Sequence, residues 1–187
     1  MVDSANFENI ASYLQQFAHD RTIPPLEKWN PDYCGEMDLV IKANGEWWHE
    51  GRPIRRQKMV DLFAKILWRE GEEFFLKTPV EKIKIQVEDA PLLISEVDLI
   101  DVDGKRYLQM TTQNQDVFVI DKAHPIYMRE YAGEMRPYVK VRYELEALIQ
   151  RNLFYHLVNY GELSETNDGT QLKLNSGDIE YILGMSE

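Results

Sequence analysis

Apolar residues recur at Phe7, Ile10, Tyr13, Leu14 and Phe17, spacings of three and four that lay one face along a helix, with Ser4 placed to cap it. The pattern stops before "TIPP", where Pro24 and Pro25 favour extended chain. From Met37 the period falls to two. Met37, Leu39 and Ile41 alternate with polar positions, Asn44-Gly45 predicts a tight two-residue turn, and Trp47-Trp48-His49 forms the return strand. Alternation sends one tryptophan into the core and puts Trp48 on the face opposite Trp47 and His49.

Gly51 turns the chain, Pro53 suits the start of a helix, and Met59, Leu62, Phe63, Ile66 and Leu67 mark an apolar stripe that ends at a Gly71 cap. Strand pattern resumes at "EFFLK" and "EKIKIQVED". Residues 92–120 read as an antiparallel meander with turns at Asp103-Gly104 and "QNQD". A second long helix is predicted from about Lys140 to Tyr160, with Leu145, Leu148, Ile149, Leu153, His156 and Leu157 inward and Gly161 as its cap. Two short strands, around "QLKL" and "DIEYIL", follow. The class is α+β, mainly antiparallel, in two small domains: residues 1–84 as an α+β unit and residues 85–187 as an antiparallel β unit with a long helix.

Sliding the second helix back by 86 positions sets Arg142 on Arg56, Leu145 on Met59, Leu148 on Leu62 and Leu153 on Leu67. Apolar period alone can produce such a match. The elements around the two helices repeat as well, since Pro53-Ile54 and Pro125-Ile126 each precede a helix and then strands, which points to a duplicated hairpin-helix-strand core. Two related halves would face one another across an interface, a common place for a ligand cleft.

Composition narrows the function classes. With 44% apolar residues, seven phenylalanines, ten tyrosines and four tryptophans, the chain can bury enough surface to fold without staples. Its net charge of −11 opposes phosphate backbones, so nucleic acid is not an expected partner. The single cysteine, Cys34, excludes an internal disulfide, the N-terminus lacks a basic-then-apolar leader, and no apolar run nears the roughly 20 residues that cross a bilayer. A cytoplasmic protein without a membrane span is expected.

No motif names a reaction. His49-Glu50 begins like "HExxH", but the second histidine's place is held by Pro53, and His19, His124 and His156 have no ligand spacing. His156 lies on an apolar helix face, the setting of a hydrogen-bonded core histidine. Cys34 sits in an acidic stretch that raises a thiol pKa, and the glycine signatures of nucleotide sites and nucleophile elbows are missing. No metal, cofactor or catalytic group is expected.

The segment "NGEWWHEGRPIRRQK" is more informative. Arg52, Arg55, Arg56 and Lys58 gather where a helix begins, against the helix dipole, at a cost of about 0.3–1 kcal/mol each when exposed. Two readings account for them. Either they pair with Glu46, Glu50 and Asp61, or their forks and the free N–H groups of the first turn receive an anionic ligand beside the Trp47 ring.

The runs "GEWWHEGRPIRR", "FFLKTPVEK" and "RPYVKVRYELEALIQRNLFYHLV" resemble the proteobacterial DUF1285 family of unknown function. That resemblance implies a two-domain protein with a duplicated core, a C-terminal domain superficially like pleckstrin-homology folds, a ligand at the domain interface and a signalling role. It places interface positions at Trp48, His49, Gly51, Pro53, Ile54 and Arg56, with Arg55 beside them, and at Pro137, Tyr138 and Arg142.

The expected function is therefore a non-enzymatic ligand-binding or sensor module in which Arg56 and Arg142 clamp a small anion. Two alternatives stand beside it. One is a hydrolase or transferase with His49 as general base and a distant carboxylate orienting it. The other is a protein-interaction domain presenting Trp29, Trp47 and Tyr138 to a partner.

Overall fold

The structure, a computed structural model, describes residues 2–15 and 22–185, so Phe17 and His19 lie outside the described residues. The chain divides into two compact units, Met1–Pro91 with Tyr143–Leu145, and Leu92–Arg142 with Glu146–Glu187. The sequence cut at residue 84 falls within a strand of the first unit.

That unit opens with helix α1 (Val2–Gln15), which already runs through Ser4, so Ser4 is not its cap. After a single 3-10 turn at Leu26–Lys28 come β1 (Tyr33–Ile41), β2 (Trp47–His49), β3 (Arg52–Pro53), α2 (Gln57–Lys65), β4 (Leu67–Glu70), β5 (Glu73–Lys77) and β6 (Lys82–Val87). They form one sheet in the order β3-β2-β1-β6-β5-β4, antiparallel except for the β1–β6 pair. Alternation works as read: Met37, Leu39 and Ile41 are buried, Trp47 enters the core and Trp48 stays half-buried.

The turns differ from the sequence reading. Asn44-Gly45 is not a two-residue turn; Gly45 N–H bonds Lys42 O, Lys42 N–H bonds Glu46 O, and only Gly45 of the pair has positive φ. The result is a three-residue loop with glycine at its left-handed position. Two positive-φ residues in succession occur instead at Glu50 (48°) and Gly51 (71°), between β2 and β3. Pro53 belongs to β3 and not to the helix, and α2 stops at Lys65, because Ile66 and Leu67 are drawn into the sheet, where Lys77 N–H bonds Ile66 O. Gly71 therefore turns a hairpin and caps no helix.

The second unit contains β7 (Leu92–Val102), β8 (Lys105–Thr112), β9 (Val117–Val119), β10 (Ile126–Tyr131), β11 (Glu134–Arg142), β12 (Leu145–Ile149), α3 (Arg151–Val158), β13 (Glu162–Thr166), β14 (Gly169–Ser176) and β15 (Ile179–Met185). The expected helix over 140–160 is overturned: its first half is two strands and only α3 is helical. All five residues of "LEALI" are buried, as in a strand covered on both faces, and a short continuous apolar run satisfies helical period as readily as strand. Tyr143 and Glu144 form the turn with φ of 48° and 60°, a conformation that larger residues rarely adopt.

Both large sheets share one topology. In the order β10-β11-β12-β7-β8-β9, the first and last strands of the set pair in parallel at the centre, as β1 and β6 do, and each carries a meander outward. The core is thus duplicated, but β1 corresponds to β7 and β6 to β12, a shorter shift than 86 positions. Among the described residues no helix of the second unit lies where α2 does, between the third and fourth strands. A three-stranded sheet, β13-β14-β15, completes this unit. Ser176 anchors it: its hydroxyl accepts from Leu108 N–H (3.0 Å) and donates to Ile120 O (2.6 Å), replacing a ladder bond between those strands.

Candidate functional site

Helix α2 owes its position to the hairpin before it. Trp48 pairs with Pro53 and His49 with Arg52, and Ile54 N–H bonds Trp47 O, so the chain enters α2 directly from the edge of the sheet. Val60, Phe63 and Ala64 face the core, and Phe63 stacks on Trp47 at 6.2 Å. Met59 and Leu62 point sideways and remain half-exposed. Beside them lies α1, whose Ile10 and Leu14 are buried and whose Phe7 meets Phe63 edge-on at 5.1 Å.

Between α1 and α2 lies a groove of about 250 Å³. Ala11, Leu14 and Gln15 form one wall; Met59, Leu62 and Phe63 form the other, with Arg56 and Lys58 also lining it. Arg56 is the N-cap residue of α2 and its side chain makes no cap bond to the donor-rich helix start.

Among the described residues, the side chains of Arg52, Arg55, Arg56 and Lys58 are all exposed and none forms an ion pair or hydrogen bond. Two carboxylates expected to neutralise them are engaged elsewhere: Glu46 accepts the Trp48 indole N–H at 3.0 Å, and Asp61 accepts Gln57 Nε2 at 2.9 Å. Of the two readings of this cluster, internal pairing is the one the contacts do not supply. In a chain of net charge −11, this is a local field of opposite sign.

The remaining expected positions divide by unit. His49 and Trp48 sit on β2, Gly51 in the following turn and Pro53 on β3, all close to one another. Trp48 also lies under Lys42, whose Nζ is 5.8 Å from the ring. His49 stacks flat on Phe7, and its buried Nε2 has no hydrogen-bond partner among the described residues. Pro137, Tyr138 and Arg142 lie on β11 of the second unit. Tyr138 is fully buried beneath Arg129, at 4.0 Å, and Arg129 pairs with the buried Glu146 at 2.7 Å. Arg142 is held by Asp116, Nε to Oδ1 3.0 Å, and both side chains are nearly buried. With Trp47 and Tyr138 in the cores, neither contributes to an aromatic surface patch.

A second polar cluster occurs in the first unit. Lys77 is 5% exposed, with Nζ 3.8 Å from the Trp68 ring, and burial holds its pKa below the ordinary lysine value. Glu70 accepts from Lys82 and from the Trp68 indole, bonds that lower its pKa. Tyr143 packs on Trp68 at 5.1 Å and donates to Glu27 at 2.7 Å, which lowers the Glu27 pKa too. The acids here already have partners, so this cluster serves the fold.

Sequence reasoning found the cationic side of the groove and missed the α1 side. The signal was present in the Ile10–Leu14 stripe, but a helix stripe marks burial without saying which helix it meets. Among the described residues no group of three or more potential metal ligands converges. No helix among them is long and apolar enough to cross a membrane.

Residues 24–90 match the family model described as "Domain of unknown function (DUF1285), N-terminal domain", and residues 91–183 match "Protein of unknown function (DUF1285), C-terminal domain". Two solved structures are similar. A DUF1285 family protein from Silicibacter pomeroyi DSS-3 is 37% identical, with 92% of this chain and 93% of that chain covered and a TM-score of 0.77. Another from Shewanella baltica OS155 is 32% identical over 65% of this chain and 90% of that one, with a TM-score of 0.50. No curated protein matches.

Proposed function

Taking as premise that the chain belongs to the DUF1285 family, we propose that it is a non-enzymatic ligand-binding protein that receives a small anion in the groove between α1 and α2. The observation that carries this reading is the set of exposed cations with no carboxylate partner among the described residues, two of which line an apolar groove at a helix start. An arginine fork and a donor-rich first turn both suit carboxylate or phosphate. A sensor role follows if the anion favours one arrangement of α1 on α2, since binding shifts an equilibrium only by its preference between states. The exposed Cys34 thiol suits the reducing cytoplasm.

This reading rests on Arg56 and Lys58 and asks nothing of Arg142, whose Nε is paired with Asp116. The general-base reading of His49 lacks support: its ring lies against Phe7, and no carboxylate hydrogen-bonds it among the described residues.

The test is a thermal-shift panel of organic acids, phosphorylated metabolites and nucleotides on the full chain. A ligand at 100 times its Kd adds about 2.7 kcal/mol, a rise of several degrees in Tm for a chain of this size. That rise is expected to disappear in the Arg56→Ala, Lys58→Ala double variant and to shrink with added salt. A silent panel on folded protein, or a hit indifferent to both substitutions, would remove this site.

A further inference from the structure

Resting on that reading, we propose that the ligand is a single-chain amphiphile: an unbranched apolar chain ending in a carboxylate, with the chain between α1 and α2 and the head at Arg56. The lining divides that way. Leu14, Met59, Leu62 and Phe63 offer no hydrogen-bonding group to a ligand, whereas Arg56 and Lys58 are cationic and have no partner among the described residues. A compact polar metabolite would leave its own polar groups unsatisfied against that apolar wall. A bare inorganic anion would leave the groove unfilled.

Size sets the chain length. An engineered apolar cavity of about 150 Å³ holds the six carbons of benzene, and on that scale 250 Å³ takes in about eight to ten carbons. Met59, unbranched and flexible, can follow the contour of such a chain.

The experiment is calorimetric titration of the full-length protein with straight-chain carboxylates of four to fourteen carbons, kept below their micelle concentrations. Affinity is expected to climb about fourfold per added methylene, to level off near eight to ten carbons, and to fall with Arg56→Ala. Leu62→Trp, at a half-exposed position, is expected to move the optimum to shorter chains while circular dichroism stays native.

Three results of the titration series itself overturn the proposal. They are affinity independent of chain length, octanol binding as tightly as octanoate, and binding only to anionic phospholipid vesicles. If butanoate or inorganic phosphate binds through Arg56 without any chain-length trend, this inference fails and the anion site stands; if no anion binds, both fail. An octyl phosphate that outcompetes octanoate would reassign the head group and overturn the carboxylate.

Discussion

Phe7 lies flat on the imidazole of His49, with ring centroids 4.1 Å apart and planes 21° from parallel. A helix from the start of the chain is thereby seated on the hairpin that delivers α2. The imidazole contributes its ring, while its buried Nε2 has no hydrogen-bond partner among the described residues. His49→Phe keeps the stack and removes the unsatisfied nitrogen, so stability measured by urea unfolding should be unchanged or higher by about 1 kcal/mol. A loss of that size would mean the nitrogen is bonded in solution.

Arg142 and Asp116 form a nearly buried pair, and Asp116 is further fixed by Thr112, whose hydroxyl donates to it at 3.2 Å. Removing one partner of a buried pair strands the other charge, so Arg142→Ala should lower unfolding stability by about 3–5 kcal/mol. Adding Asp116→Ala should recover part of that loss. A double variant that loses as much as the two single variants added together would show that the pair is not coupled.

Gly161 is required by space. Its φ is not left-handed, yet a Cβ there would lie 2.3 Å from the backbone oxygen of Lys173. Gly161→Ala should therefore force β14 away from the end of α3 and cost about 1–3 kcal/mol, read as a Tm several degrees lower. Gly104 is the converse case, with open space but φ of +78°. Alanine there should cost only about 1–2 kcal/mol of backbone strain. A Gly161→Ala variant as stable as the native chain would refute the packing argument.

Lys77 gives stability a pH slope of known sign. Its folded pKa lies below the ordinary value because burial disfavours the ammonium. Between the folded and unfolded pKa values the unfolded chain binds more protons, so this lysine makes stability rise with pH from its depressed pKa up to about 10.5. Below that window its burial penalty is fully present. Urea unfolding of the native chain and of Lys77→Met at several alkaline pH values should show the native chain gaining on the variant; parallel curves would mean that Lys77 titrates normally.

Strand period was legible wherever one face of the sheet is covered, as in β1 and β6, because alternation there follows from burial alone. It failed at "LEALI", where β12 is buried on both faces and the signal that separates strand from helix is lost. The break that should have marked the strand end was hidden too, since Tyr143 and Glu144 turn the chain without glycine. Contacts of Tyr143 with Glu27 and with Pro24 O help to hold that turn, and these long-range partners leave no local trace. At the candidate site, the cationic side could be read from four charges in seven residues. That these charges have no acid partner among the described residues could not, because pairing depends on which carboxylates Trp48 and Gln57 take.

The parallel seams between β1 and β6 and between β7 and β12 have a consequence for how the chain assembles. On either side of each seam the strands pair only with neighbours in sequence, so each three-stranded arm can form from nearby residues. Only the seam joins the ends of the motif, and closing it carries the loop entropy of everything between. Folding of each unit should thus be slow at one event, the docking of two preformed arms. Chain cut within residues 120–125 would turn that docking into a bimolecular encounter, with a rate proportional to fragment concentration.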